Sequence, residues 1–271
     1  PEHRRGDIAR TFGRTKEMLR CFSETFGVAY PWNKYAQVVV SDFIFGGMEN
    51  TTATTLTEHV LIDERAALDA DSDDLIAHEL AHQWFGDYVT CRDWSEGWLN
   101  EGFATFAEHL FRGATLGRDA FHFGLRTDLD SYLNEAKGRY QRPIVCQEYD
   151  APLDLFDRHL YEKGALALHV LRVTLGEGVF REAVGAYLRK HAHGVVETRD
   201  LLRAMEERSG RSLGKLFEQL LYKPGHPRIA VTLRWDDGIL FVAAKQTQSG
   251  GQVPEVFEFP RSGRALTQTG G

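Results

Sequence analysis

The sequence predicts an α+β chain: a small strand-rich region comes first, a mostly helical half follows, and a further β segment begins near the end. Three observations predict it. Val, Ile, Phe and Thr concentrate within residues 36–62, apolar residues recur at helical spacing through much of residues 98–221, and apolar and polar residues alternate from Ile229 onward. With 271 residues the chain can bury a sizeable core and hold one domain or two. The change of texture at Lys223-Pro224-Gly225-His226-Pro227 divides it into 1–223 and 228–271.

Each element has its own signal. Ile8, Phe12, Thr15, Leu19, Phe22 and Phe26 keep a 3.6-residue spacing and predict one amphipathic helix ending near Gly27. Ala36 to Phe45 predicts a buried strand running into Gly46-Gly47, and Thr51 to Ile62 predicts another. Ser72, followed by Asp73 and Asp74, predicts a helix start with a capping hydroxyl and acids near the positive end of the dipole; Gly86 is placed to end that helix. A second helix starts after Gly97, and a third follows Gly113 until Arg142-Pro143. From Leu155 to about Leu221 helices succeed one another, broken at Gly176, Gly194 and Ser209-Gly210. Asp237-Gly238 predicts a hairpin turn between two alternating strands, and Val256 to Phe259 is a further short strand candidate.

Composition narrows the classes of function. Hydrophobic and charged contents of 42% and 26% are ordinary for a globular protein, and a net charge of -7 argues against nucleic acid as a partner. No apolar run reaches the length of a membrane span. Cys21, Cys91 and Cys146 are odd in number and scattered, so free buried thiols are expected rather than a disulfide framework. The chain starts at Pro1 without an initiator methionine or a signal-type segment, and we read it as an excised or processed piece. It encodes no compartment; a soluble, cytoplasmic setting is the default.

The chemistry concentrates in His78-Glu79-Leu80-Ala81-His82. Residues four apart on a helix share a face, so His78 and His82 can offer two imidazoles to one ion, and Glu79 can accept a proton from water held there. The motif alone is open to chance, the plain alternative being an exposed helix with two solvated histidines. Trp98-Leu99-Asn100-Glu101-Gly102 adds a carboxylate 19 positions after His82, and His, His, Glu is a known catalytic zinc set. Leu99, Phe103, Phe106 and Leu110 form a core stripe, leaving Glu101, Thr105 and Glu108 on another. Thr105 and Glu108 could orient ligands, but for Glu108 a solvated face is the plainer expectation. His109, His122, His159, His169, His191 and His193 are read as non-ligands, because their spacings complete no site.

Gly46-Gly47-Met48-Glu49-Asn50, the His78–His82 motif, the Glu101 motif and Tyr161-Glu162-Lys163-Gly164-Ala165 stand in this order. In these four motifs, over about residues 6 to 248, the chain resembles zinc aminopeptidases of the aminopeptidase N type, a family that also includes the leukotriene-epoxide hydrolase. The resemblance implies a thermolysin-like zinc peptidase catalytic domain over 1–223 and a partial β-sandwich over 228–271. It implies one zinc ion on His78, His82 and Glu101, with Glu79 as base. It implies that the backbone of Gly46, Gly47, Met48, Glu49 and Asn50 holds the substrate peptide, that Met48 lines the pocket for its first residue, and that Glu49 binds the free α-amine. Read alone, that stretch is a glycine turn with a solvated glutamate. Tyr161, which alone would be a packing residue, becomes the donor to the oxyanion; Lys163 is expected to be structural or solvent-facing.

In the family such a domain is preceded by a large β domain, followed by a β-sandwich and often capped by helices. The chain is therefore expected to lack the first, which supplies one more acidic or amide group at the substrate amine, and to carry the sandwich cut short. The function expected is hydrolysis of the first bond of peptides with a free N-terminus. An endopeptidase with the same centre, an epoxide hydrolase and a zinc-free interaction module are the alternatives.

Overall fold

The computed structural model describes residues 2–258. The N-terminal apolar series forms two helices, not one: α1 (Ile8–Phe12) and α2 (Thr15–Phe26) part at Gly13-Arg14. Met18, Phe22 and Phe26 are the buried side of α2, and Gly27, at φ 66, closes it with the left-handed cap that glycine permits.

The strand expected over 36–45 is shorter and less buried. β1 (Ala36–Val40) stops before Asp42, whose φ of 57 cannot continue a ladder. With β2 (Gly47–Met48) and β3 (Ala53–Thr57) it makes a three-stranded sheet in the order β1-β3-β2, so β1 has one neighbour and Val38 stays exposed. β1 runs parallel to β3, and β2 antiparallel to it with Gly47 opposite Leu56. β3 gives way to a 3-10 turn at Glu58–Val60, well before Ile62.

α3 (Asp73–Ala81) starts where the acids predicted, but the Ser72 hydroxyl donates to Val60 O at 2.6 Å, and it is the Asp71 carboxylate that accepts Asp73 N–H. The helix closes at Ala81 with His82 as its cap, earlier than Gly86, which at φ 132 turns the chain towards β4 (Val89–Cys91). Then come α4 (Trp98–Leu116), which runs through Gly113, α5 (Arg118–Gly138), α6 (Glu162–Leu175), α7 (Glu177–Lys190) and α8 (Thr198–Ser209). β5 (Gly194–Val196) pairs parallel with β4, and the sequence foresaw neither strand, residues 87–97 reading as a connection. The helical half closes with α9 (Gly214–Phe217) and a π turn over Glu218–Tyr222.

α4 is the axis of the core, packed on α2, α3, α5 and α6. Trp84, Phe85, Trp98, Phe103, Phe106 and Phe111 are all but inaccessible, and the Phe85 and Phe103 rings stack at 4.0 Å. At the α4–α6 crossing two glycines meet: a Cβ on Gly102 would lie 3.1 Å from Gly164 Cα, so the two backbones touch.

The hairpin β6 (Ile229–Asp236) and β7 (Ile239–Gln246) has the predicted turn, with Asp237 and Gly238 both at positive φ. Its register sets Leu233 opposite Val242 and Trp235 opposite Leu240 on one apolar face, yet all four side chains are exposed. Residues 256–258 form no strand, and Phe259 of that candidate lies outside the described residues. Cys21, Cys91 and Cys146 are free and half-buried rather than buried. Among the described residues no helix is long and apolar enough to cross a membrane.

Lys163 is buried and does not reach solvent. Its Nζ finds no hydrogen-bond partner and lies 5.3 Å from the centre of the Tyr132 ring. Burial, reinforced by the Arg142 charge, pulls its pKa from 10.5 down to about 7. Between these two values the unfolded chain holds a proton that the native chain lacks, so stability rises with pH across that window and is flat below about 7. Lys163→Met is expected to raise the melting temperature at pH 7, by ~2 kcal/mol of stability, and to change it little at pH 10.5. Thermal melts of both proteins at the two pH values check this.

Candidate active site

Three helix ends and one strand edge build the site. Arg14 holds Asp73 and Arg112 holds Asp74, which fix the first turn of α3 against α2 and α4, while Ile76, Ala77 and Leu80 bury its inner face. His78 and His82 then stand one turn apart with ring centres at 4.8 Å, and Glu101 comes from the first turn of α4. Glu101 Oε2 lies 3.1 Å from His78 Nε2 and 3.2 Å from His82 Nε2.

The outer ring nitrogens explain why these atoms face inward. His78 Nδ1–H donates to Glu108 Oε1 at 2.8 Å and His82 Nδ1–H to Phe85 O at 2.8 Å. In neutral rings so held, both Nε2 atoms present lone pairs to a carboxylate oxygen. Neutral rings would therefore bring three acceptors together in a buried place, and the arrangement calls for a cation. Protons are the substitute when none is bound. Burial opposes charge on His78, but hydrogen bonds to Glu101 and Glu108 outweigh it and raise its pKa well above 6.5. Burial likewise opposes charge on His82, yet the Glu101 and Glu49 carboxylates lift it to about 9. Glu101, which burial alone would push up, is drawn down to about 2 by the two histidines. This donor set, two imidazoles and a carboxylate, suits zinc. Glu108 is thus not a solvated residue: it orients His78. It stands seven residues after Glu101, two helical turns on, and that spacing was a readable signal.

Glu79 is buried, and its Oε2 has no partner. Burial raises its pKa to about 7, against the pull of His78 and His82, so it can both take and return a proton near neutrality. Gly47 of β2 and Gly46 just before it leave room for it and for the helix that carries it. A Cβ on Gly47 would fall 2.2 Å from Glu79 Oε1, and one on Gly46 would fall 3.1 Å from Leu75 Cδ1. Close approach here is between strand and helix, beyond the approach to a ligand that the sequence suggested.

Gly46, Gly47, Met48, Glu49, His78, Glu79, His82, Glu101 and Tyr161 line one cavity of about 810 Å³. Asn50 does not: its Oδ1 accepts the Thr55 hydroxyl at 2.9 Å and shapes the turn. Tyr161 sits at the cap of α6 with its ring 6.0 Å from that of His78. Burial and the charges of Glu101, Glu49 and Glu79 keep its phenol protonated, a donor over the whole working range. Trp94, Phe156 and Leu160, which carry no motif, complete the apolar wall.

One of the other histidines does stand in a cluster of possible ligands. The structure gathers His159 with Glu135 and Asp157, their ligand atoms within 4.8 Å of one another. Asp157, however, already accepts from Arg142 Nε at 2.9 Å and Nη2 at 2.6 Å, from the Tyr140 hydroxyl at 2.8 Å and from two backbone amides. With its lone pairs so committed, the cluster is an ion-pair network and not a second metal centre.

Residues 10–220 match the Peptidase family M1 domain, which covers well over half of the chain. The chain belongs to peptidase family M1. Among its M1 relatives, Aminopeptidase M1 of Arabidopsis thaliana is 34% identical over 251 residues, which are 88% of this chain and 27% of the relative. Aminopeptidase N of Streptomyces lividans is 36% identical over 220 residues, 76% of this chain and 25% of that protein. The chain thus spans about a quarter of the length of these relatives. Among solved structures, the M1 zinc metallopeptidase from Deinococcus radiodurans superposes with a TM-score of 0.64 at 29% identity, covering 80% of this chain and 45% of that one. Yeast LTA4 hydrolase in complex with bestatin gives 0.71 at 29% identity, covering 80% and 36%. The mixed α/β architecture, a small sheet with helices, matches these M1 structures.

Two substitutions probe the geometry. Gly47→Ala must displace Glu79 or β2, and is expected to lower kcat at least ~10-fold with the circular dichroism spectrum unchanged. Glu108→Ala releases His78, and is expected to weaken binding of a divalent zinc ion ~10- to 100-fold in a chelator competition.

Proposed function

We propose that this chain is the thermolysin-like catalytic part of a zinc aminopeptidase, with 228–271 as the opening of a β-sandwich domain. The observation that carries the reading is the convergence of two imidazole lone pairs and one carboxylate oxygen beside a buried, unpartnered glutamate. The names of the relatives, aminopeptidases and zinc metallopeptidases, agree with it.

His78, His82 and Glu101 would hold the ion. When bound, zinc would supply Lewis acidity, polarising the substrate carbonyl and making water nucleophilic near neutral pH. Glu79 takes the proton of the attacking water and hands it to the departing amine, a shuttle suited to a buried carboxylate whose Oε2 has no other partner. Tyr161 donates its phenol hydrogen to the carbonyl oxygen as negative charge builds there. Glu49 accepts the substrate's α-ammonium, and the edge of β2 lies along the first residue. Because Glu49 and the centre share one cavity, only a bond close to a free amine can sit at both, which makes the reaction exopeptidic.

The test compares free and N-acetylated aminoacyl reporters on the full-length protein, before and after chelation. Hydrolysis of the free reporter should vanish with the metal and return with zinc, and the acetylated one should be turned over at least ~100-fold more slowly. An endopeptidase with the same centre would accept both equally, and that result would overturn the reading. Glu79→Gln should keep the metal and lose ~100- to 10,000-fold in kcat.

A further inference from the structure

Gln83 follows His82 directly, is completely buried, and has no part in the chemistry above. Its side-chain amide is spent on the turn that carries Glu49. Nε2 donates to Glu49 O at 3.1 Å, and Oε1 accepts Thr52 N–H at 2.8 Å. Oε1 also takes the Tyr30 hydroxyl at 3.3 Å, while the Gln83 backbone carbonyl accepts Trp32 Nε1–H at 3.0 Å. One residue therefore joins three segments: its backbone carbonyl holds the approach to β1, its side chain holds the turn between β2 and β3, and it sits at the end of the metal helix.

The turn needs such a clamp. Thr52 has a φ of 64, a left-handed backbone that a β-branched residue adopts only under constraint. Its carbonyl is fixed by Ala36 N–H at 2.9 Å and its amide by Gln83, so both sides of the strained residue are tied down. Without the amide of Gln83, Thr52 N–H and Glu49 O lose their buried partners and the strain loses one of its two restraints. Glu49 belongs to the same short turn and would move with it.

We propose that Gln83 is a positioning residue for recognition of the substrate amine: it fixes the distance between the Glu49 carboxylate and the metal-binding end of α3. This rests on the reading of Glu49 as the amine site. The family resemblance places the function in Glu49; the structure assigns its placement to the residue after the second histidine. The ligand class is a primary ammonium next to a metal-directed group, and the contribution appears in binding of that ammonium rather than in the chemical step.

The experiment uses the full-length, zinc-loaded protein and two competitive inhibitors, leucine hydroxamate and its counterpart lacking the amine. In the wild type the amine should improve binding ~10-fold or more. Gln83→Met, which keeps the volume and removes the side-chain hydrogen bonds, should reduce that preference ~10-fold, with affinity for the amine-free inhibitor held within ~3-fold. Adding Thr52→Gly, which relieves the left-handed residue, should restore part of the preference, and the double variant also serves if Gln83→Met alone does not fold. A preference unchanged in Gln83→Met, or equal weakening of both inhibitors, would overturn the role of Gln83. Absence of any preference in the wild type, or its survival in Glu49→Gln, would instead remove the amine site itself and the proposal with it.

Discussion

Two imidazole nitrogens and a carboxylate oxygen meet in the interior of this protein, a meeting that a cation or protons must neutralise, and most of the structure can be understood as holding it in place. A buried carboxylate facing two imidazole nitrogens is tolerable only with positive charge at the centre. The fold cannot relax it by turning the rings, because Glu108 and the Phe85 carbonyl hold their far nitrogens. Nor can the helices drift, because α3 is pinned at its start by arginines and along its length by apolar packing against α4. The electrostatic tension is thus a property of the packed core as much as of the three residues themselves.

The same packing sets the character of the neighbours. Glu79 and Tyr161 are ordinary side chains whose behaviour is set by burial. Removal from water makes the glutamate a weak acid near neutrality and keeps the tyrosine protonated. The negative charges around them reinforce both effects. Proton acceptor and hydrogen-bond donor are in this way prepared by one environment acting on two chemistries.

What the sequence disclosed and what it hid follow from the range of the interactions. The helices that carry His78, Glu79, His82 and Glu101 were legible because helical spacing is local, and the hairpin turn at Asp237-Gly238 because its backbone demands are local too. β5 was not, since three residues give no periodicity and its partner β4 is about a hundred positions earlier. The burial of Lys163 depends on which surfaces close over it, and nothing in its own neighbourhood records that; for Glu108 the spacing from Glu101 was a local signal, but its bond to His78 depends on how α3 and α4 pack. Valines suggested that β1 would be buried, but composition does not say whether a strand has one neighbour or two. Gln83 lies within the most informative stretch of the chain and still carried no signal, because its partners come from two other segments.

The contact between Gly102 and Gly164 has a consequence for how Glu101 and Tyr161 are held. They flank a junction where main chain rests on main chain, without rotamers in between. Side chains elsewhere in the interior can reshuffle and absorb small changes in volume, but this junction has no such slack. The spacing between the carboxylate on one helix and the phenol on the other is therefore insulated from repacking around it, like the jaws of a vice whose pivot is solid metal.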